Sequence, residues 1–302
     1  MTSGPSVVAI GGGRGLSVTL QAARSYAGRV TAVVATADDS GSTGRLRTAM
    51  DLPAPGDVRR CLTALAGVAP DLLGQAFEYR FPGTDLEGHA LGNLIVAGLA
   101  ATSGDFVAAV DETARLLGMD PAFRRVLPAT AEQVGLRATT ADGREIVGQY
   151  AISKTAGIRR VRLDPEGVKA PDGLAAAISA ADQVVLGPGS IYTSVLAAVL
   201  VEDLLHALRS TPAQTVYVCN LGAESRESEG YDVAAHIDAL HAHGVEPDVT
   251  LLSEGARLPL GDAATEVVMT DLGGGDGETH DSAKLGAALA ALAGTPRPAD
   301  QR

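Results

Sequence analysis

The chain has 302 residues, 46 % of them hydrophobic and 20 % charged, a balance that reads as globular with a substantial core. A net charge of −12, no Trp and 3 % aromatic residues argue against a nucleic-acid partner, which would want cationic surface and stacking platforms. Two distant cysteines without a Cys-x-x-Cys pair, no long apolar run and no basic, apolar leader predict a reduced, cytoplasmic protein without membrane insertion.

Residues 7–10 form a short apolar run that stops in Gly11-Gly12-Gly13-Arg14-Gly15. A helical pattern follows from 16 to about 27, then a β-rich run over 30–36 that empties into Asp38-Asp39-Ser40-Gly41-Ser42-Thr43-Gly44-Arg45. In an open parallel sheet both loops lie at the carboxyl ends of their strands, where ligands bind. The glycines let backbone approach a phosphate, and the N–H groups opening the next helix favour an anion. Asp38 and Asp39 are the candidate metal ligands. Mg²⁺ is the cation this pattern allows, because it takes one or two carboxylates plus water and phosphate. Arg45 adds donors suited to phosphate.

Further along, Pro55-Gly56-Asp57 predicts a helix start with Asp57 as cap. Arg59 and Arg60 in its first turn run against the helix dipole, a broken local rule that makes Arg59 a candidate phosphate contact. A short helix is predicted over 72–81. Gly88-His89-Ala90-Leu91-Gly92-Asn93 then opens an apolar helix, with His89 and Asn93 four residues apart on one face. Another helix fits 105–117. From about 123 to 165 the texture turns to β-like runs joined by turns, which predicts a small antiparallel insert.

The α/β alternation returns at 173. The buried run 182–186 leads into Gly187-Pro188-Gly189-Ser190-Ile191-Tyr192-Thr193, a second strand–glycine-loop–helix junction whose hydroxyls suit phosphate or ribose. The strand over 215–219 ends at Asn220. Further strands fit 248–252 and 266–269, and residues 273–277 read as a flexible link before Thr279-His280-Asp281 and a last helix. Residues 1–294 are expected to form one α/β domain, Rossmann-like and mainly parallel, with the β insert; 295–302 are expected to be a frayed tail.

Neither glycine loop is a standard nucleotide motif. The dinucleotide fingerprint fails, because its third glycine would fall at Leu16 or Val18, and no Gly-Lys-Ser or Gly-Lys-Thr occurs for a Walker phosphate loop. A nicotinamide oxidoreductase is therefore a distant third among the readings.

Taken in order, the segments 10–17, 37–47, 55–62, 79–81, 88–94 and 186–194 resemble the gluconeogenesis-factor (YvcK-like) proteins, relatives of the 2-phospho-L-lactate transferases of deazaflavin cofactor synthesis. The resemblance runs from Val7 to about Leu292. It implies a protein that binds UDP-sugars such as UDP-N-acetylglucosamine and acts in cell shape and envelope-precursor synthesis on gluconeogenic carbon sources. The alternative it implies is a Mg-dependent transferase moving a phospholactyl-type group from a nucleotide diphosphate donor to a deazaflavin. The family pattern has Thr where this chain has Arg14, and Arg where it has Thr279. The segment 223–235 departs too.

The resulting expectation is a nucleotide-diphosphate site built from Gly11, Gly12, Gly13, Arg14, Gly15, Ser40, Gly41, Arg45, Asp57 and Arg59. His89, Asn93, Gly187, Pro188, Gly189, Ser190, Tyr192, Thr193, Asn220 and His280 complete it. No tightly bound organic cofactor is expected, and a homo-oligomer is left open. Replacing Asp38 and Asp39 together by Asn is expected to weaken ligand binding without lowering stability.

Overall fold

The structure is a computed structural model that describes residues 4–67, 72–83, 85–223 and 225–293. The predicted frayed tail lies outside them. The N-terminal half runs β1 (Ser6–Gly11), α1 (Gly13–Ala23), β2 (Arg29–Val34), α2 (Gly41–Met50), α3 (Pro55–Ala66), α4 (Leu72–Glu78), α5 (Leu91–Ser103), α6 (Phe106–Leu116) and β3 (Arg124–Pro128). An insert follows: β4 (Gly135–Thr140), β5 (Glu145–Val147), α7 (Gln149–Ser153) and β6 (Ile158–Asp164). The C-terminal half comprises α8 (Leu174–Ser179), β7 (Gln183–Leu186), a π-helical turn (Ile191–Leu196) running into α9 (Ala197–Val199), α10 (Glu202–Ser210) and β8 (Gln214–Val218). A 3₁₀ turn (Arg226–Ser228), α11 (Val233–Ala242), β9 (Val249–Ser253), β10 (Glu266–Thr270) and α12 (Ser282–Ala293) complete it.

Seven parallel strands form the main sheet in the order β10-β9-β8-β7-β1-β2-β3, and β5-β4-β6 form a separate antiparallel sheet. The strands read as continuous apolar runs because both faces are covered, as parallel sheets require. Along β1, Val7 and Ala9 face Leu16 and Leu20 of α1, Leu62 of α3 and Leu289 of α12. Val8 and Ile10 face the opposite core, with Ile191 and Val195 of the π turn and Leu240 of α11. The insert covers part of that second face, contributing Leu136, Ile152 and Ile158 to the same core. It is a structural layer of the domain.

Four local readings change, the first being that α3 starts at Pro55 after Ala54, so Asp57 lies in its first turn and is not its cap. Residues 124–128 pair in parallel with β2, Val30 opposite Arg124, so the antiparallel sheet proper starts at Gly135. Pro128 is tolerated there because β3 is an edge strand. The stretch after Asp39 is a helix, α2, despite its glycines, because Thr43 and Leu46 are buried against the body. Residues 273–277 fold as a tight turn: Gly273 bridges His280, and Asp276 Oδ1 accepts the Glu278 and Thr279 N–H groups at 2.9 Å.

Strand β1 has β2 on one side and β7 on the other, with register Ile10–Val33 and Ile10–Leu186. The winding reverses there. Ligands of open α/β sheets bind at that reversal, beyond the carboxyl ends of the strands.

Candidate functional site

Two glycine loops meet at the β1–β7 reversal. A Cβ on Gly15 would lie 2.1 Å from the Pro188 carbonyl oxygen, so the first turn of α1 rests on the backbone of the second loop. Thr19 Oγ1 donates to the Gly187 carbonyl at 2.7 Å. Buried Asn220, just beyond β8, clamps Gly189 from both sides: Oδ1 accepts its N–H at 2.9 Å and Nδ2 donates to its carbonyl at 3.1 Å. The Asn220 amide is thus spent on shaping the loop.

The first loop is also held from α3. Asp57 Oδ2 accepts the Gly13 N–H at 2.7 Å, while Oδ1 pairs with Arg60 at 2.6 Å. A Cβ on Gly12 would stand 2.9 Å from that same Oδ2. Glycine is required at 15, where backbone meets backbone, whereas a Cβ at 12 would press on the end of the Asp57 side chain.

Over these loops lies a cleft of about 510 Å³ lined by Gly12 to Gly15, Pro188 to Ser190, Ser194, Leu221 to Ala223, Arg257 and Glu278 to His280. That volume is in the range of small-molecule sites. Arg14, at the first turn of α1, and Arg257, beyond β9, both line it, and neither forms an ion pair among the described residues. These two guanidiniums beside a helix N-terminus give the cleft local positive charge, set against the Glu278 carboxylate in its lining, on a protein of net charge −12.

His280 is in the same wall. Burial holds its ring well below the usual histidine value, at about 4, against a hydrogen bond to the Cys219 backbone. The Cys219 N–H is already given to Leu251, so the carbonyl accepts and the ring nitrogen facing it carries the proton. The other nitrogen, Nε2, is buried and has no partner among the described residues.

The remaining predicted residues divide into two groups. Tyr192 and Thr193 are turned beneath the loop. Buried Glu227 accepts the Tyr192 N–H at 3.0 Å and the Thr193 hydroxyl at 2.8 Å, so a protein carboxylate already occupies the start of that π turn. The Tyr192 hydroxyl goes to Tyr231 at 2.8 Å and donates to the Ile158 carbonyl at 3.1 Å. From 190 to 194 only Ser190 and Ser194 line the cleft.

The second group clusters on the β2 side and is absent from the cleft lining. Asp38 is half-buried. Burial raises its pKa, opposed by hydrogen bonds from Ser40 and reinforced by Asp57 and Asp39. Asp39 has other work: its two oxygens accept the Gln149 and Tyr150 N–H groups at 2.9 Å, capping α7 of the insert. Gly41 opens α2, and Arg45 donates to His89 Nε2 at 3.3 Å and to the Glu87 carbonyl. Burial, then the Arg45 charge, lowers the His89 pKa. Arg59 is 1 % exposed, donates to Asn93 Oδ1 at 2.9 Å and pairs with Glu78. These contacts tie α3, α4 and α5 together and resolve the cation at the wrong helix end.

For a divalent cation, Asp38 and Asp39 do not converge as one chelate, because Asp39 faces the insert. Among the described residues no trio of His, Cys, Asp or Glu is placed to hold a metal. An all-protein magnesium cage does not fit; Asp38 with ligand phosphate and water is the arrangement left.

Arg257, Ser194, Gly222 and Glu278 were not among the sequence candidates. The signal for Arg257 was present: it follows a recognisable buried strand, at the carboxyl end where ligands bind.

Among known proteins, the family described as 2-phospho-L-lactate transferase CofD matches residues 7–270. A gluconeogenesis factor of Halalkalibacterium halodurans is 40 % identical over 254 residues, 82 % of this chain and 78 % of that protein. The gluconeogenesis factor of Bacillus subtilis is 40 % identical over 241 residues, 79 % of this chain and 75 % of that protein. A crystal structure of a UPF0052-family protein from Bacillus halodurans superposes with a TM-score of 0.88 at 34 % identity, covering 96 % of this chain and 99 % of that one.

Proposed function

This chain belongs to the 2-phospho-L-lactate transferase CofD family, and we propose that it is a gluconeogenesis factor that senses a nucleotide-sugar of the UDP-N-acetylglucosamine type. The observation that carries the reading is a pair of arginines, Arg14 and Arg257, without an ion pair among the described residues, on a cleft floored by two glycine loops. Guanidiniums bind phosphate oxygens bidentately, and the α1 N-terminus adds partial positive charge. Ser190 and Ser194 supply neutral donors and acceptors beside them. Relatives 40 % identical are gluconeogenesis factors; the role we assign with that reading is regulation of cell shape and envelope-precursor synthesis on gluconeogenic carbon sources.

Calorimetric titration with UDP-N-acetylglucosamine tests this, with UDP-glucose and GTP alongside, with and without Mg²⁺. Micromolar binding selective for the N-acetyl sugar, with the ligand recovered intact, is the expected result.

The match to a transferase family favours a second reading: phospholactyl-type transfer from a nucleotide diphosphate to a deazaflavin. Half-buried Asp38 beside Asp57 is the carboxylate it would use. Silence with both UDP-sugars but binding of GTP or a deazaflavin would replace the first reading by this one.

A further inference from the structure

Arg257 is a built feature of the cleft. Its N–H donates to the Leu221 carbonyl at 2.7 Å, which fixes the loop beyond β9 against the loop beyond β8. Its guanidinium lies along Gly222, where a Cβ would stand 3.3 Å from both Nε and Nη2. Glycine at 222 therefore makes the seat in which the guanidinium rests. The side chain is exposed and forms no ion pair among the described residues, which leaves its donors facing the cleft. Arg14 reaches the cleft from another element, the first turn of α1. A monophosphate satisfies one guanidinium bidentately and leaves the second cation unused; two linked phosphates can engage both.

We propose that Arg257, seated on Gly222, is the residue that makes this cleft select two linked phosphates over one. The inference deepens the nucleotide-sugar reading and gives the recognised group as a diphosphate, whatever is esterified to it.

The test is calorimetry on the full chain with inorganic pyrophosphate, inorganic phosphate, UDP-N-acetylglucosamine and UMP. Wild type, Arg257→Gln and Gly222→Ala are compared. Wild type is expected to prefer pyrophosphate over phosphate, and the UDP-sugar over UMP, by at least about tenfold. Arg257→Gln should remove most of that preference, lowering diphosphate affinity about tenfold or more and monophosphate affinity less than about threefold. Gly222→Ala, which crowds the guanidinium without removing it, should fall between. Unchanged melting of Arg257→Gln is expected, since the side chain is exposed and forms no ion pair among the described residues.

Equal losses for phosphate and pyrophosphate in Arg257→Gln, or no loss, would overturn the inference. Pyrophosphate binding that depends on Arg257, with silence toward UDP-sugars, would leave it standing and remove the nucleotide-sugar reading. Silence of the wild type toward all four probes overturns both.

Discussion

Asp57 accepts the Gly13 N–H at 2.7 Å, so the helix end that the glycine loop offers to a phosphate already carries a protein carboxylate. The two anions compete for one field. Asp57→Asn keeps an oxygen for the Gly13 N–H, removes the charge, and loses the half-exposed Arg60 pair, which contributes about 0–1 kcal/mol at most. Diphosphate affinity is expected to rise about threefold to tenfold in this variant, from relief of like-charge repulsion at the cleft rim. Calorimetry against pyrophosphate at fixed salt measures it. A fall in affinity would mean that the carboxylate serves the ligand directly.

Gly15 and Gly13 separate space from conformation. The Gly15 Cβ would collide with the Pro188 carbonyl at 2.1 Å, backbone against backbone, whereas Gly13 has φ +65° with nothing within 4 Å of a Cβ. Gly15→Ala is expected to cost about 3 kcal/mol by forcing the two loops apart, and Gly13→Ala about 1 kcal/mol from left-handed strain. Urea denaturation of the two variants should preserve that order. The reverse order would show that the loops do not rest on each other.

Asp39 is a tether between the site and the insert. Asp39→Ala leaves the Gln149 and Tyr150 N–H groups uncapped, at about 1 kcal/mol, and should raise hydrogen exchange over 149–153. Asp38→Asn should leave that exchange unchanged, since Asp38 accepts from Ser40 within its own loop. The expectation that replacing both aspartates spares stability is revised accordingly. Equal exchange in Asp39→Ala and wild type would refute the tether.

That revision shows where sequence reasoning stops. Parallel strands such as β1 and β7, buried on both faces, announce themselves as apolar runs, and glycines mark their ends. A carboxylate's partner does not, when it lies far along the chain. Glu227 caps Tyr192 from 35 positions away, and Asp39 caps Gln149 from 110, so both loops looked open to ligand when one was closed by protein. Arg59 breaks a helix rule in the sequence, and Glu78 and Asn93, its partners, are what satisfy it in the fold. Arg257 is the reverse case: its position after a buried strand is legible in the sequence, but its seat on Gly222 and its place in the cleft are not.

His280 gives the fold a defined acid response. Its folded pKa, about 4, lies below the ordinary 6.5 because burial disfavours the charged ring. Between those values the unfolded chain binds a proton that the folded chain refuses, so stability is complete above pH 6.5 and declines as pH falls toward 4. His236, His243 and His89 are lowered too, chiefly by burial, and act in the same direction. From pH 7 to 5 the His280 contribution amounts to about 1–2 kcal/mol. His280→Asn retains a donor for the Cys219 carbonyl and cannot titrate. Its unfolding free energy should therefore fall less steeply over that interval than the wild type's, by roughly that amount. Pyrophosphate bound beside the ring would favour the imidazolium and flatten the wild-type slope as well, an effect that His280→Asn should not show. Parallel slopes for wild type and variant without ligand would mean that the ring is charged, or exposed, in the folded state.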